Sequence, residues 1–215
     1  LGELGEIRVS LNDPHLWWYV TRASALIGWA LTTLSVVWGI LLSTRILRRI
    51  DNPGWLQDLH RFLGGLSVIM VLLHMVTLML DSWLHLTPVQ LLVPFTSDYR
   101  PVAVALGIVA FYLLIAVQGS SMIMHRLPRR FWKGLHYTSY AVVLLVSFHA
   151  GLSGTDVGSV GYKVLAYSLI GLTAAATVVR IAVSNRTTRA AKAEVWVPPH
   201  DSAPRISPPR IQTRT

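Results

Sequence analysis

The sequence predicts an all-α integral membrane bundle of about five transmembrane helices, with the N-terminus outside and the C-terminus in the cytoplasm. Three observations predict it. The 215 residues are 53% hydrophobic and only 13% charged, which leaves too little polar surface to close a soluble globule of this size. Five apolar segments are each long enough to cross a hydrocarbon core, a distance that takes about 20 helical residues. Fifteen of the nineteen lysines and arginines fall on one side of the bundle that those segments define, and the positive-inside rule makes that side cytoplasmic.

Residues 1–17 form the predicted extracytoplasmic segment. Glu3, Glu6, Arg8 and Asp13 precede the first apolar run without the basic region of a cleavable signal peptide, so the first span is expected to insert by itself. The predicted transmembrane domain is then residues 18–183, with spans near 18–44, 59–81, 101–122, 134–152 and 161–183. Loop 45–58 carries Arg45, Arg48 and Arg49, with Arg61 just beyond it; loop 123–133 carries Arg126, Arg129, Arg130 and Lys133. Seven more basic residues lie from Arg180 onward, against Arg8, Arg22, Arg100 and Lys163 on the other side. An odd number of spans puts the termini on opposite sides, in agreement with the charge bias. Aromatic residues expected at interfaces fall at span ends: Trp17, Trp18, Tyr19, Trp83 and Tyr99 outside, Trp55 and Trp132 inside.

The outer connection 82–100 contains an apolar stretch, 89–93, too short to span, and it is expected to lie in the interface as a partial lid. The fourth span is the shortest and holds Tyr137, Tyr140 and two histidines, so its hydropathy should be the lowest. Residues 184–215, rich in Pro and Arg, form a predicted cytoplasmic tail that cannot bury a core and is expected to be disordered.

Composition narrows the chemistry. The chain has no cysteine, which excludes disulfides, thiolate ligation, iron–sulfur clusters and covalent haem attachment. The net charge of +9 could mark a nucleic-acid binder, but the basic residues sit between apolar runs instead of forming a stripe, so no nucleic-acid partner is expected. No motif places a nucleophile beside a base, so hydrolysis is not expected. Histidine remains as the ligand.

His60 and His74 lie fourteen residues apart in the second span, about 21 Å of rise and within about 40° of one helix face. His136 and His149 lie thirteen apart in the fourth, about 20 Å of rise but about 140° out of line in an ideal helix. A kink or π-bulge, or ligands approached from different azimuths, would reconcile them. Both spans run from inside to outside, so His60 meets His136 at the inner level and His74 meets His149 at the outer level. Each pair offers two axial imidazoles to a b-type haem, and bis-histidine ligation leaves no open position, which suits electron transfer. Gly64 and Gly65, about a turn after His60, would let a porphyrin approach the backbone. Arg61, Arg126, Arg130 and Lys133 are candidates for the inner propionates, Arg22 or Arg100 for the outer ones.

The competing interpretation makes the histidines polar packing groups bonded between helices, and the glycine pair a helix-packing device. Four histidines paired at matching depths on two co-oriented helices favour ligation. His15, His85, His125 and His200 fall in terminal, loop or tail positions outside that pattern.

The stretch Arg126-Leu127-Pro128-Arg129-Arg130-Phe131-Trp132-Lys133-Gly134-Leu135-His136, with Tyr140, Phe148-His149-Ala150 and Ser153-Gly154-Thr155-Asp156, resembles the ferric reductase-like transmembrane domain. That superfamily includes ferric reductases, the membrane part of NADPH oxidases and the haem subunit of the bacterial methionine sulfoxide reductase system. The resemblance covers about residues 20–183 and implies two haems held by histidine pairs thirteen or fourteen apart, here His60, His74, His136 and His149. It also implies outward electron transfer across a bacterial inner membrane. Full-length members continue into a flavin and nicotinamide domain, whereas no glycine-rich dinucleotide fingerprint occurs here. The expected function is therefore that of a stand-alone electron-transfer subunit. A quinol or a separate redox partner protein would supply or receive electrons, with flavin or quinone carried on the partner. Two alternatives stand beside it: direct reduction of a ferric chelate or other small acceptor at the outer haem, and an accessory subunit that shapes a larger membrane complex.

Overall fold

The computed structural model describes residues 15–44, 53–84 and 86–194. The segment before residue 15, loop residues 45–52 with Arg45, Arg48 and Arg49, His85, and the tail from 195 onward with His200 lie outside the described residues. The protein is all-α. Its elements are α1 (Leu16–Thr44), α2 (Pro53–Leu80), the short α3 (Pro88–Leu92), α4 (Pro101–Met122), a 3-10 turn at Met124–Arg126, α5 (Arg129–Tyr137), α6 (Ser139–Ser153) and α7 (Val160–Glu194). Five stretches are long and apolar enough to cross a membrane: Leu16–Thr44, Gly54–Leu80, Pro101–Met122, Arg129–Ser153 and Val160–Arg186. The fourth is the least hydropathic, at 1.2 against 1.8 or more for the others. α5 and α6 together make that span.

Proline at the first helical position starts α2, α3 and α4, where its missing N–H costs nothing and its fixed φ suits the helix. α3 begins on a capping box: the Thr87 side chain accepts from the Gln90 N–H, and the Gln90 side chain accepts from the Thr87 N–H. Its last carbonyl region is tied to α4 through Tyr112, whose hydroxyl donates to the Leu92 carbonyl at 2.7 Å. Arg100, just before α4, sits at φ 42° in the left-handed region, a strained conformation for a non-glycine residue. Its guanidinium donates to the Leu152 carbonyl and lies over the Tyr99 ring, so the strained residue fastens the start of α4 to the end of α6.

α1 and α4 are the inner walls. Of their span residues 39% are buried, against 11–17% for the other three spans. α1 packs along α2 and also touches α6 and α7, while α4 packs along α6 and α5. Among the described residues, α2 and α5–α6 make no substantial contact with one another. Small residues let α1 approach closely: a Cβ on Gly28 would stand 3.5 Å from both Met70 and Val71. Two hydroxyls of α1 bond back within the helix, Thr32 to the Gly28 carbonyl at 2.8 Å and Ser24 to the Val20 carbonyl at 2.7 Å.

Two apolar clusters join the walls to the outer helices. Val36, Val37 and Ile40 of α1 meet Val143 and Ala176, and Trp29 meets Tyr162 and Leu169. The lipid-facing sides of α2, α6 and α7 carry exposed Ile69, Val76, Leu144, Val164 and Ile170, as expected where hydrocarbon is the solvent. Aromatic clusters mark both ends of the bundle. Trp83 contacts Trp18 and Tyr99 at one end, and Trp38 meets Trp55 at the other, with ring centres 6.1 Å apart.

Candidate metal-binding histidine pairs

The helices that carry the four histidines are held apart by the two walls, and the rings project into the space between. His60 of α2 and His136 of α5 come together with ring centres 6.0 Å apart and planes crossed at 76°. Their Nδ1 atoms are turned toward different walls: Ser35 Oγ of α1 lies 3.5 Å from His60, and Ser121 Oγ of α4 lies 3.4 Å from His136. With its proton on the Val117 carbonyl at 2.7 Å, Ser121 is an acceptor for His136 Nδ1–H. In that tautomer Nε2 keeps a free lone pair. Trp132 stacks on His136 with centres 5.1 Å apart and planes within 25°. Gly39 of α1 backs His60, since a Cβ there would stand 3.2 Å from the ring.

His74 and His149 occupy the other level. His74 Nδ1 donates to the Thr21 carbonyl of α1 at 3.0 Å, and His149 Nδ1 donates to the Ala103 carbonyl of α4 at 2.7 Å. A carbonyl can only accept, so both rings carry a proton on Nδ1, and the neutral ring then keeps its free lone pair on Nε2, an arrangement typical of metal-binding histidine. Gly107 makes room for the His149 ring: a Cβ there would stand 2.7 Å from Nδ1 and 2.8 Å from Cε1. Both histidines line one cavity of about 210 Å³, far more than the roughly 10–15 Å³ that a single water requires. Its walls are mostly apolar, with Arg22 and Asp156 forming an ion pair on its lining.

The fourth span is not one straight helix. α5 ends at Tyr137 and α6 starts at Ser139, and the Thr138 N–H bonds to the Leu135 carbonyl at 3.0 Å while its hydroxyl donates to the same carbonyl at 2.6 Å. An i→i−3 bond of this kind winds the chain tighter than an α-helix. The break falls between His136 and His149, where the thirteen-residue spacing requires a departure from ideal geometry.

The other predicted residues are placed differently. Gly64 faces Gln118 of α4, whose Oε1 would be 2.8 Å from an added Cβ, and Gly65 is farther from the same side chain. The glycine pair thus makes room for a glutamine at the crossing of α2 and α4. Arg61 is 65% exposed and pairs with Asp58 at 3.6 Å, and Arg130 is exposed on α5. Arg126 and Lys133 are likewise exposed. Arg22 alone among the predicted arginines lines the cavity, with Asp156 on its guanidinium. His125 is exposed in the 3-10 turn.

Sequence reasoning missed the supports behind the rings: Thr21, Ser35 and Gly39 on α1, and Ala103, Gly107 and Ser121 on α4. Among the described residues no group of three or more His, Cys, Asp or Glu side chains is placed to hold a metal ion. No protein-family model, curated protein or solved structure gives a significant match to the chain.

Proposed function

We propose that this multi-pass membrane protein is a two-haem b-type cytochrome subunit, of the ferric reductase-like kind, that carries electrons across a bacterial inner membrane. One observation carries the proposal. All four imidazoles are approached at Nδ1 by a wall helix, α1 for His60 and His74 and α4 for His136 and His149, so the four Nε2 atoms are left for a ligand between helices that make no substantial contact with one another.

The residues fit the group. Two metal–imidazole bonds of about 2 Å each place ring centres about 6 Å apart, and His60 and His136 stand at 6.0 Å. His74 and His149 share an apolar cavity, the environment a porphyrin face favours. His60, His136, His74 and His149 would hold the haems, and bound haem would supply one-electron redox chemistry. The protein's own contribution is orientation and tuning. The Thr21 and Ala103 carbonyls fix ring rotation and raise the basicity of Nε2.

In the proposed orientation the His60–His136 pair lies on the cytoplasmic side and the His74–His149 pair on the outer side. The donor would be quinol or a cytoplasmic redox protein, and the acceptor an extracytoplasmic partner, with any flavin on the partner. A dithionite-reduced minus oxidised spectrum, with pyridine haemochrome quantification on purified protein, tests the proposal. The expected result is a low-spin b-type signal at about two haems per chain. Protein made under haem-replete conditions that contains none would overturn it.

A further inference from the structure

Four buried side-chain polar atoms among the described residues have no hydrogen-bond partner: Thr21 Oγ1, Thr33 Oγ1, Trp132 Nε1 and Tyr162 Oη. Three stand beside the histidine pairs. Trp132 stacks on His136, while Thr21 and Tyr162 both line the His74–His149 cavity. Thr21 is 4% exposed and Tyr162 9%. Each can donate a hydrogen bond, and a buried donor left unsatisfied costs about 1–3 kcal/mol.

Of the two outer arginines only Arg22 lines this cavity. Arg22 is held by Asp156 and Arg100 by the Leu152 carbonyl. Tyr162 is fixed in place: its ring packs on Trp29 at 6.1 Å, and the Trp29 indole N–H donates to Ser147 Oγ at 3.2 Å. Tyr162 also lies against the end of α6, in ordinary van der Waals range of Gly154.

We infer that the Thr21 and Tyr162 hydroxyls form an oxygen-acceptor subsite in this cavity, and that they donate to a carboxylate of the group held between His74 and His149. The inference rests on the two-haem reading, under which that carboxylate is a porphyrin propionate. Thr21 then acts twice at the same site. Its carbonyl accepts from His74 Nδ1 and its hydroxyl engages the ligand's edge, so ring orientation and ligand position are set by one residue. Tyr162 brings α7 into the site, although α7 carries no histidine in its described residues.

The experiment compares haem loss from the full purified chain to excess apomyoglobin for the unaltered protein, Tyr162→Phe and Thr21→Val. The kinetic phase of the outer site is identified as the one missing from His74→Ala. Tyr162→Phe keeps the ring that packs on Trp29 and removes only the hydroxyl. Each variant should still bind two haems, lose the outer one about tenfold faster and leave the other phase unchanged, a change of about one hydrogen bond. Propionate deformation bands in the resonance Raman spectrum should shift in both variants. Outer-phase rates and bands identical to those of the unaltered protein would overturn the subsite while leaving the two-haem reading intact. An unaltered protein that binds no haem would overturn both.

Discussion

His60 and His136 belong to helices that do not pack together, yet their rings meet 6.0 Å apart with planes crossed at 76°. The approach is imposed from behind, by α1 on one ring and α4 on the other. Under the proposed function, His136→Ala should lower the haem content from about two to about one per chain. The remaining spectrum should be abolished by a second substitution, His149→Ala. Pyridine haemochrome measurements on both variants check this, and two haems retained in His136→Ala would remove that residue from the ligand set.

Gly107 and Gly39 predict a graded series. Alanine at 107 would bring a Cβ to 2.7 Å from a ring that is bonded to the Ala103 carbonyl and cannot retreat without losing that bond. Gly107→Ala should cost about 1–3 kcal/mol and deplete haem from the His74–His149 site. Gly39→Ala meets His60 at 3.2 Å and should be milder, and Gly134→Ala meets nothing within 4 Å and should be neutral. Haem occupancy after purification ranks the three.

Arg180 of α7 ties the break in the fourth span to α1. It donates to Ser43 Oγ at 2.7 Å and lies 5.5 Å over Tyr137 and 5.9 Å over Tyr140, on either side of Thr138. Arg180→Ala should remove about 1 kcal/mol and lower the Tm in detergent by about 3 °C. Arg180→Lys should recover only part of the loss, because ammonium lacks the planar fork. Thermal melts of both variants provide the check.

Topology is open to direct test because the chain has no native cysteine. With the N-terminus outside, Ser82→Cys should react with a membrane-impermeant maleimide in intact cells, and Arg126→Cys should react only after permeabilisation. The reverse pattern would invert the bundle and exchange the inner and outer assignments of the histidine pairs.

The spans were legible because hydrocarbon demands long apolar runs, and 101–122 coincides with α4 because Pro101 marks its start. α2 begins earlier than 59, since Pro53 initiates a helical turn that hydropathy does not register, and Leu56 in that turn is buried to 3% exposure. α7 continues past 183 to Glu194, because the Ala, Arg and Lys residues that leave the membrane still favour helix. The histidine pairing was legible in spacing and depth. The break at Thr138 was not marked by glycine or proline; its only signal is the hydroxyl-rich Tyr137-Thr138-Ser139-Tyr140, in which a side chain competes for backbone carbonyls. The Thr21 and Ala103 carbonyls could not be read at all, because a backbone acceptor leaves no trace in residue type. Gly39 and Gly107 carried a weak trace as glycines within spans, where no turn accounts for them.

The contrast between the unbroken α2 and the jointed α5–α6 gives the two histidine carriers unequal tolerance to change. One residue inserted between His60 and His74 would swing one ring about 100° around the helix and move it about 1.5 Å along the axis, with nothing in α2 to absorb the error. The same insertion near Thr138 meets a joint where winding already departs from the α-helix. α2 thus serves as a gauge of fixed length, and the fourth span as the adjustable jaw closed against it.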